Sequence, residues 1–322
     1  MLFAPVAMHI PDGFLSVSVS IILWAASIAV IIYALRRVGD ELGERQAPVM
    51  GVLAAAIFAG QMLNFPVAGG TSGHLMGAAL ATILLGPWAA ILVMTSVVSV
   101  QALLFQDGGL LALGGNIFNM GIVGAAVAYM VYRTVKQMAG DRKWGVFVGG
   151  FAAGWLSIFV ASLGVALQLA ISGASSADLA IPTMAGVHAL IGIGEGLITV
   201  GALAFIYATR PDLLKVGASR RAGGRLIWIA GLVIALSITL LSPYASQNPD
   251  GLEWVAGQNG FLDRQQAPQY NIIPDYVMPG ISNEAMATIM AGMVGTLVVF
   301  CVALAIAYAR RKSDLAQNDS SS

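Results

Sequence analysis

Long runs without a single charge constrain this chain more than any other feature. Val17 to Leu35, Leu226 to Leu241 and Ala287 to Ala309 approach or exceed the ~20 residues a helix needs to cross the hydrocarbon of a bilayer. Backbone in lipid must satisfy its own hydrogen bonds, so runs of this length are helical. The short alternating strands of a membrane β-barrel do not produce them. Charged residues make up only 10% of the chain, against roughly 25% in an ordinary soluble domain. The 38 glycines suit helices packed through small faces, because lipid gives little drive for apolar association. The expected fold class is an all-α integral membrane protein, a polytopic helical bundle.

Nine crossings are read at about 17–35, 48–66, 71–85, 88–105, 112–132, 145–171, 184–208, 226–242 and 286–309. All but one of the 16 Lys and Arg fall in four places: Arg36 to Arg45, Arg133 to Lys143, Arg210 to Arg225, and Arg310 to Lys312. The exception is Arg264. By the positive-inside rule those four segments are cytoplasmic, which puts the amino terminus outside and the carboxyl terminus inside the cytoplasmic membrane. Basic residues confined to membrane-flanking segments leave no surface for nucleic acid. The third and fourth crossings are separated at Gly86-Pro87, where proline removes an amide donor and biases its predecessor away from helix. Were 71–105 one kinked pass, every later basic cluster would change sides. At some 15 residues, or ~22 Å, the third crossing is short for a full span. Short or broken segments are tolerated where they line a protein-enclosed site.

The chain divides near Arg225. Residues 8–224 form a unit of seven crossings with short connections, and 225–312 form a two-helix unit around an external loop, 243–285. That loop interrupts its polar sequence with Trp254, Tyr270 and Tyr276 and is expected to be partly ordered, whereas 313–322 is a polar tail expected to be disordered. The lone Cys301 permits no intramolecular disulfide. Gly51, Ala54, Ala55 and Ala59 form a small-residue face suited either to a partner membrane protein or to internal packing.

The chain has three histidines. His9 lies in Met8-His9-Ile10-Pro11-Asp12-Gly13 and His74 ends Thr71-Ser72-Gly73-His74, and charge parity puts both on the external side. A terminal Met-His dipeptide can offer three nitrogens in one plane: the Met8 amine, the deprotonated His9 amide and the His9 imidazole Nδ1. With His74 as fourth donor the set suits Ni(II) or Cu(II) in square-planar geometry and also accepts Co(II). Mg²⁺ and Ca²⁺ prefer oxygen. This chelate requires a free amine on Met8, yet seven residues precede it; they lack a basic n-region and are short for a signal peptide. The expectation is that translation starts at Met8 or that processing exposes it. Ordinary roles stand beside this one: His9 as a residue of an interfacial turn, His74 as a ring bonded to backbone beside a helix start.

His188 and Glu195, seven apart, lie two turns along one helical face. A carboxylate inside an apolar crossing is costly unless paired, protonated or turned to a polar interior. Either residue can orient a ligand or relay a proton, or both can belong to a buried network that locks helices together. Ser72, Gln101, Asn116 and Asn119 present the same choice and are expected to brace the metal-bearing loops, with carboxamide oxygens as alternative ligands. Met62, Met76, Met94, Met120 and Met130 read as core packing rather than a soft-metal path.

Five motifs in order resemble one family: His9-Ile10-Pro11-Asp12-Gly13-Phe14-Leu15; Asn64-Phe65-Pro66 with Gly69-Gly70-Thr71-Ser72-Gly73-His74-Leu75; Gln101-Ala102-Leu103 with Asp107-Gly108-Gly109; Gly115-Asn116 with Asn119-Met120; and His188-Ala189 with Gly192 and Gly194-Glu195-Gly196. Together they are similar to the substrate-binding membrane component of cobalt and nickel energy-coupling-factor (ECF) transporters, the CbiM/NikM family, over roughly 8–209. Residues 225–310 resemble its small accessory component, the CbiN/NikN type, fused through a Pro249-Asp250-Gly251-Leu252-Glu253 segment. The resemblance implies a seven-helix substrate-binding component plus two further membrane helices. It implies metal ligation by Met8, His9 and His74, with Ni(II) or Co(II) as transported substrate and no tightly bound organic cofactor. It also implies a transmembrane coupling protein and two ABC-type ATPase subunits as partners. The chain has no Gly-Lys-Ser/Thr phosphate loop and no nucleophile–base constellation, so it is read as a transporter subunit and not an enzyme. The other reading is an autonomous transition-metal channel or secondary carrier. The planar chelate leans toward nickel.

Overall fold

The computed structural model describes residues 8–41, 47–140, 142–214 and 225–320. Its helices are α1 (Val17–Glu41), α2 (Ala47–Gln61), α3 (Ala78–Leu85), α4 (Pro87–Val100), α5 (Leu113–Asn116), α6 (Gly124–Ala139), α7 (Trp144–Ile171), α8 (Ala177–Thr209), α9 (Arg225–Thr239), α10 (Gly251–Gln258) and α11 (Glu284–Ser320). Wider π-helical turns continue α4 through Gln101–Phe105 and join α5 to α6 through Ile117–Val123. Among the described residues six helices are long and apolar enough to cross a membrane, and Ala47–Gln61 and Trp228–Tyr244 are shorter apolar helices. The chain is therefore a multi-pass helical membrane protein.

The third expected crossing is not a helix along its length. Only Ala78–Leu85 is helical, about 12 Å of rise. Ahead of it, β1 (Phe65–Val67) and β2 (Thr71–Gly73) pair antiparallel, with Pro66 opposite Ser72. The three-residue reversal 68–70 places Gly69 and Gly70 at positive φ (89° and 78°), a conformation that residues with a Cβ rarely adopt. Residues 74–77 then run in irregular backbone to Gly77, again at positive φ. Gly86 ends α3 and Pro87 opens α4, where its missing amide costs nothing. The broken crossing thus leaves non-helical backbone inside the protein, at His74.

Two other expectations change. The small-residue face of α2 is covered from within: a Cβ on Gly51 would stand 3.2 Å from Phe300, and Ala55 clusters with Ala235 and Phe300. The stripe packs α9 and α11 against α2, and these residues are not free for a partner protein. The carboxyl-terminal segment is helical as far as Ser320, because no proline or glycine between 313 and 320 stops α11. A further departure is the start of α8 at Ala177 rather than 184, with extended Ser176 before it and Asp178 in the first turn, where a negative charge suits the helix dipole.

Candidate metal centre

Two loops and the end of α4 meet around His9. The turn 8–15 enters the bundle, and His9 is only 2% exposed. Its ring centroid lies 5.6 Å from that of His74, with the planes at 63°. The two residues that charge parity placed on one side are thus brought into contact. His188, from α8, lines the same cavity of about 80 Å³, so all three histidines of the chain converge on it.

The nitrogens of the Met8-His9 pair point at a common place. Met8 N donates to Asp107 Oδ1 at 2.9 Å, and His9 Nδ1 stands 2.9 Å from that same oxygen. The ring contact is close but not aligned as a hydrogen bond, and neither His9 ring nitrogen has a hydrogen-bond partner. Buried polar atoms are almost always partnered, and here Nε2 has no partner while Nδ1 has only the Asp107 carboxylate, which leaves the ring available to a ligand. The Nδ1 of His74 lies 3.0 Å from the Leu75 carbonyl, which can only accept, so the neutral ring carries its lone pair on Nε2. Among the described residues no group of three or more His, Cys, Asp or Glu is arranged to hold a metal. A donor set of Met8, His9 and His74 draws instead on main-chain nitrogen.

Asp107 is the residue that the sequence did not single out, although Asp107-Gly108-Gly109 is one of the motifs. Burial raises its carboxyl, but the facing His9, contacts from His9 and Tyr276, and His74 outweigh this and hold it below the usual carboxylate range. Its other oxygen, Oδ2, accepts the Tyr276 hydroxyl at 2.6 Å. Asp12 was likewise unassigned; it accepts the Leu110 and Ala112 amides and ties the amino-terminal turn to the same loop.

The expected bracing residues separate by what they touch. Asn116 clamps the turn, accepting from Ile10 N at 3.0 Å and donating to Ile10 O at 3.1 Å. Asn119 exchanges two amide hydrogen bonds with Gln168, fixing α7 at the cavity wall. His188 Nδ1 lies 2.9 Å from the Met184 carbonyl of its own helix. Glu195 reaches neither histidine: it accepts the amides of Met76 and Gly77, at 2.6 and 3.0 Å, and so fixes the backbone just after His74. Ser72 donates to the Asn248 and Pro249 carbonyls and anchors the carboxyl-terminal unit to β2. Gln101 is fully buried outside the cavity, and its carbonyl accepts the Asp107 amide at 3.2 Å.

Gly108 shows how little room the centre leaves. It has φ +93°, and a Cβ there would lie 2.9 Å from both His9 Cβ and Asn116 Nδ2. Gly108→Ala is expected to destabilise the protein by about 1–3 kcal/mol and to weaken metal binding, through positive-φ strain and displacement of His9. Thermal unfolding and metal titration of the variant check this.

A multi-pass helical bundle with three histidines lining one cavity stands, by similarity of sequence and fold, among transition metal transport proteins. Residues 9–213 match the cobalt uptake substrate-specific transmembrane region, and residues 225–312 match the PDGLE domain. The chain belongs to this cobalt uptake family, with the PDGLE part fused after it. A relative named as a fused nickel transport protein NikMN, from Archaeoglobus fulgidus, is 38% identical over 94% of this chain and 99% of its own length. The cobalt transport protein CbiM of Sorangium cellulosum is 32% identical over 64% of this chain and 94% of its own. A solved truncated transition metal transporter superposes with a TM-score of 0.57 at 32% identity, covering 62% of this chain and 99% of that one. A second solved transition metal transporter gives 0.56 at 33% identity. These matches bear out the resemblance read from the five motifs, the fusion included.

Proposed function

We propose that this chain captures Ni(II) or Co(II) at the extracellular face and delivers it across the cytoplasmic membrane as the substrate-binding component of an ATP-driven ECF transporter. The observation that carries the metal reading is His9, buried with its Nε2 unpartnered and its Nδ1 facing only the Asp107 carboxylate, beside the Met8 nitrogen and the His74 ring. Met8 supplies its amine, His9 its amide and imidazole nitrogens, and His74 the fourth donor. Nitrogen donors of this kind select late first-row ions over Mg²⁺ and Ca²⁺. Asn116, Asp107 and Glu195 hold the donor-bearing backbone from outside the donor set. The coupling protein and two ABC-type ATPases supply the driving force.

Metal analysis of the purified mature protein under competing Ni(II) and Co(II), with mass identification of its first residue, tests the reading. Bound Ni(II) or Co(II) on a chain beginning at Met8 is the expected result. Tight binding by a chain that retains Met1 sinks the four-nitrogen set. ATP dependence is tested in vesicles holding this chain with and without its ATPase partners; uptake by the chain alone would favour a secondary carrier.

The fused unit is proposed to assist loading of the metal loops. Because α9 and α11 cover the small-residue face of α2, deletion of 225–322 is expected to lower recovery of the folded complex as well as uptake. Complex recovery measured beside uptake checks this, and an intact complex without uptake would isolate the loading role.

A further inference from the structure

The carboxyl-terminal unit touches the centre through two segments, Asn248 to Leu252 against β2 and the cavity, and Tyr270 to Tyr276 against the end of α4. The Tyr270 hydroxyl donates to the Ala102 carbonyl at 3.1 Å, and Ile273 N donates to the Leu104 carbonyl at 3.0 Å. Both acceptors belong to the π-helical end of α4, the turn that delivers Asp107. The Tyr276 ring then stacks on Phe105, centroids 4.6 Å apart and planes at 12°, while its hydroxyl reaches Asp107 Oδ2. Asp107 Oδ1, on the other side of the same carboxylate, meets the Met8 nitrogen and the His9 ring. One carboxylate therefore joins the fused segment to the proposed ligands.

The backbone that presents this tyrosine is strained. Asp275 and Tyr276 are consecutive non-glycine residues at φ +53° and +58°. The left-handed region is uncommon for any residue with a Cβ and an outlier for a bulky one. Such strain persists only where the surroundings over-determine it, and it collects at clamps and switches. Here stacking on Phe105 and the short hydroxyl contact hold it.

We propose that Tyr276 is a positioning residue of the metal centre: its hydroxyl fixes Asp107 so that Asp107 Oδ1 accepts from the Met8 nitrogen and holds it beside the His9 ring, and the strained Asp275-Tyr276 turn sets how readily that hold releases for ion exchange. The proposal rests on the metal-binding reading above. Phenylalanine at 276 keeps the stacked ring and the backbone while removing only the hydroxyl. Glycine at 275 accepts positive φ without strain and favours the held state.

The test uses the full chain in lipid nanodiscs, loaded with Ni(II) and chased with excess EDTA. Tyr276→Phe is expected to release the ion about tenfold faster, the scale of one hydrogen bond to a charged group, with unchanged saturating stoichiometry. Asp275→Gly is expected to release it more slowly, by about fivefold. In metal-free protein, amide exchange across Gly108 to Leu110 should quicken in Tyr276→Phe by more than at amides remote from Asp107. A part that only fills space would move neither rate in opposite directions between the two variants. Parental or slower release from Tyr276→Phe overturns the proposal while leaving the metal reading in place. If the parent chain itself retains neither Ni(II) nor Co(II), the metal reading falls and this positioning role falls with it.

Discussion

Replacing His9 with alanine is expected to remove high-affinity binding of Ni(II) and Co(II), a loss beyond the roughly 10–100-fold that an outer bracing partner costs. The side chain supplies one of the four proposed nitrogens and half of the six-membered chelate ring. Without it the amide is no longer held for deprotonation between two other donors, so the chelate fails as a unit. The ring is also the group opposite Asp107, whose Oδ1 in the variant is left with Met8 N. His74→Ala should weaken binding strongly too, since it removes the donor from the other loop. His188→Ala is the internal control: it lines the same cavity with its Nδ1 on the Met184 carbonyl, outside the proposed donor set, and should leave the loss within roughly tenfold. Competition against a chromophoric chelator, on protein whose first residue has been identified, measures all three. Parental affinity in His9→Ala would show that the donor set is wrong.

The histidine pair was legible because two independent signals agreed. His9 and His74 sit in glycine- and proline-framed turns, and the distribution of arginine and lysine placed both on one side before any helix was packed. The broken third crossing was half legible. Its shortness and Gly86-Pro87 point to an interruption, but hydropathy alone carries the crossing upward through Thr71-Ser72-Gly73. There Gly69-Gly70 is a hairpin signal, and the strands it joins are too short to announce themselves by alternation. Asp107 was not legible as a site residue. An aspartate beside two glycines in an external loop has an ordinary solvated reading; what buries it is a π-turn at Gln101–Phe105 and a tyrosine 169 residues away. Neither leaves a periodic trace in the sequence. The α2 stripe failed differently: small residues announce close packing but not the partner, and here that partner is the chain's own α9 and α11.

Glu195→Ala is expected to destabilise the protein by about 3–5 kcal/mol and to weaken metal binding although Glu195 touches neither histidine. The carboxylate is completely buried, and it accepts two consecutive main-chain amides, those of Met76 and Gly77, at the point where the crossing is not helical. Inside a membrane protein no water replaces it, so alanine strands two donors at about 1–3 kcal/mol each. Those amides lie two and three residues after His74, ahead of α3, and their release frees the loop that aims the His74 ring. Glu195→Gln keeps one carbonyl oxygen but turns an amide group toward the second donor, so it should lose about half as much stability. A purely structural carboxylate would lower the melting temperature in both variants and leave the affinity of the folded fraction unchanged. A carboxylate that sets the His74 loop lowers both together, in the order alanine then glutamine. Thermal unfolding and metal affinity, measured on the same preparations, separate the two cases. The second outcome would tie the burial of a carboxyl group in α8 to irregular backbone inside the bundle, the loop that presents His74.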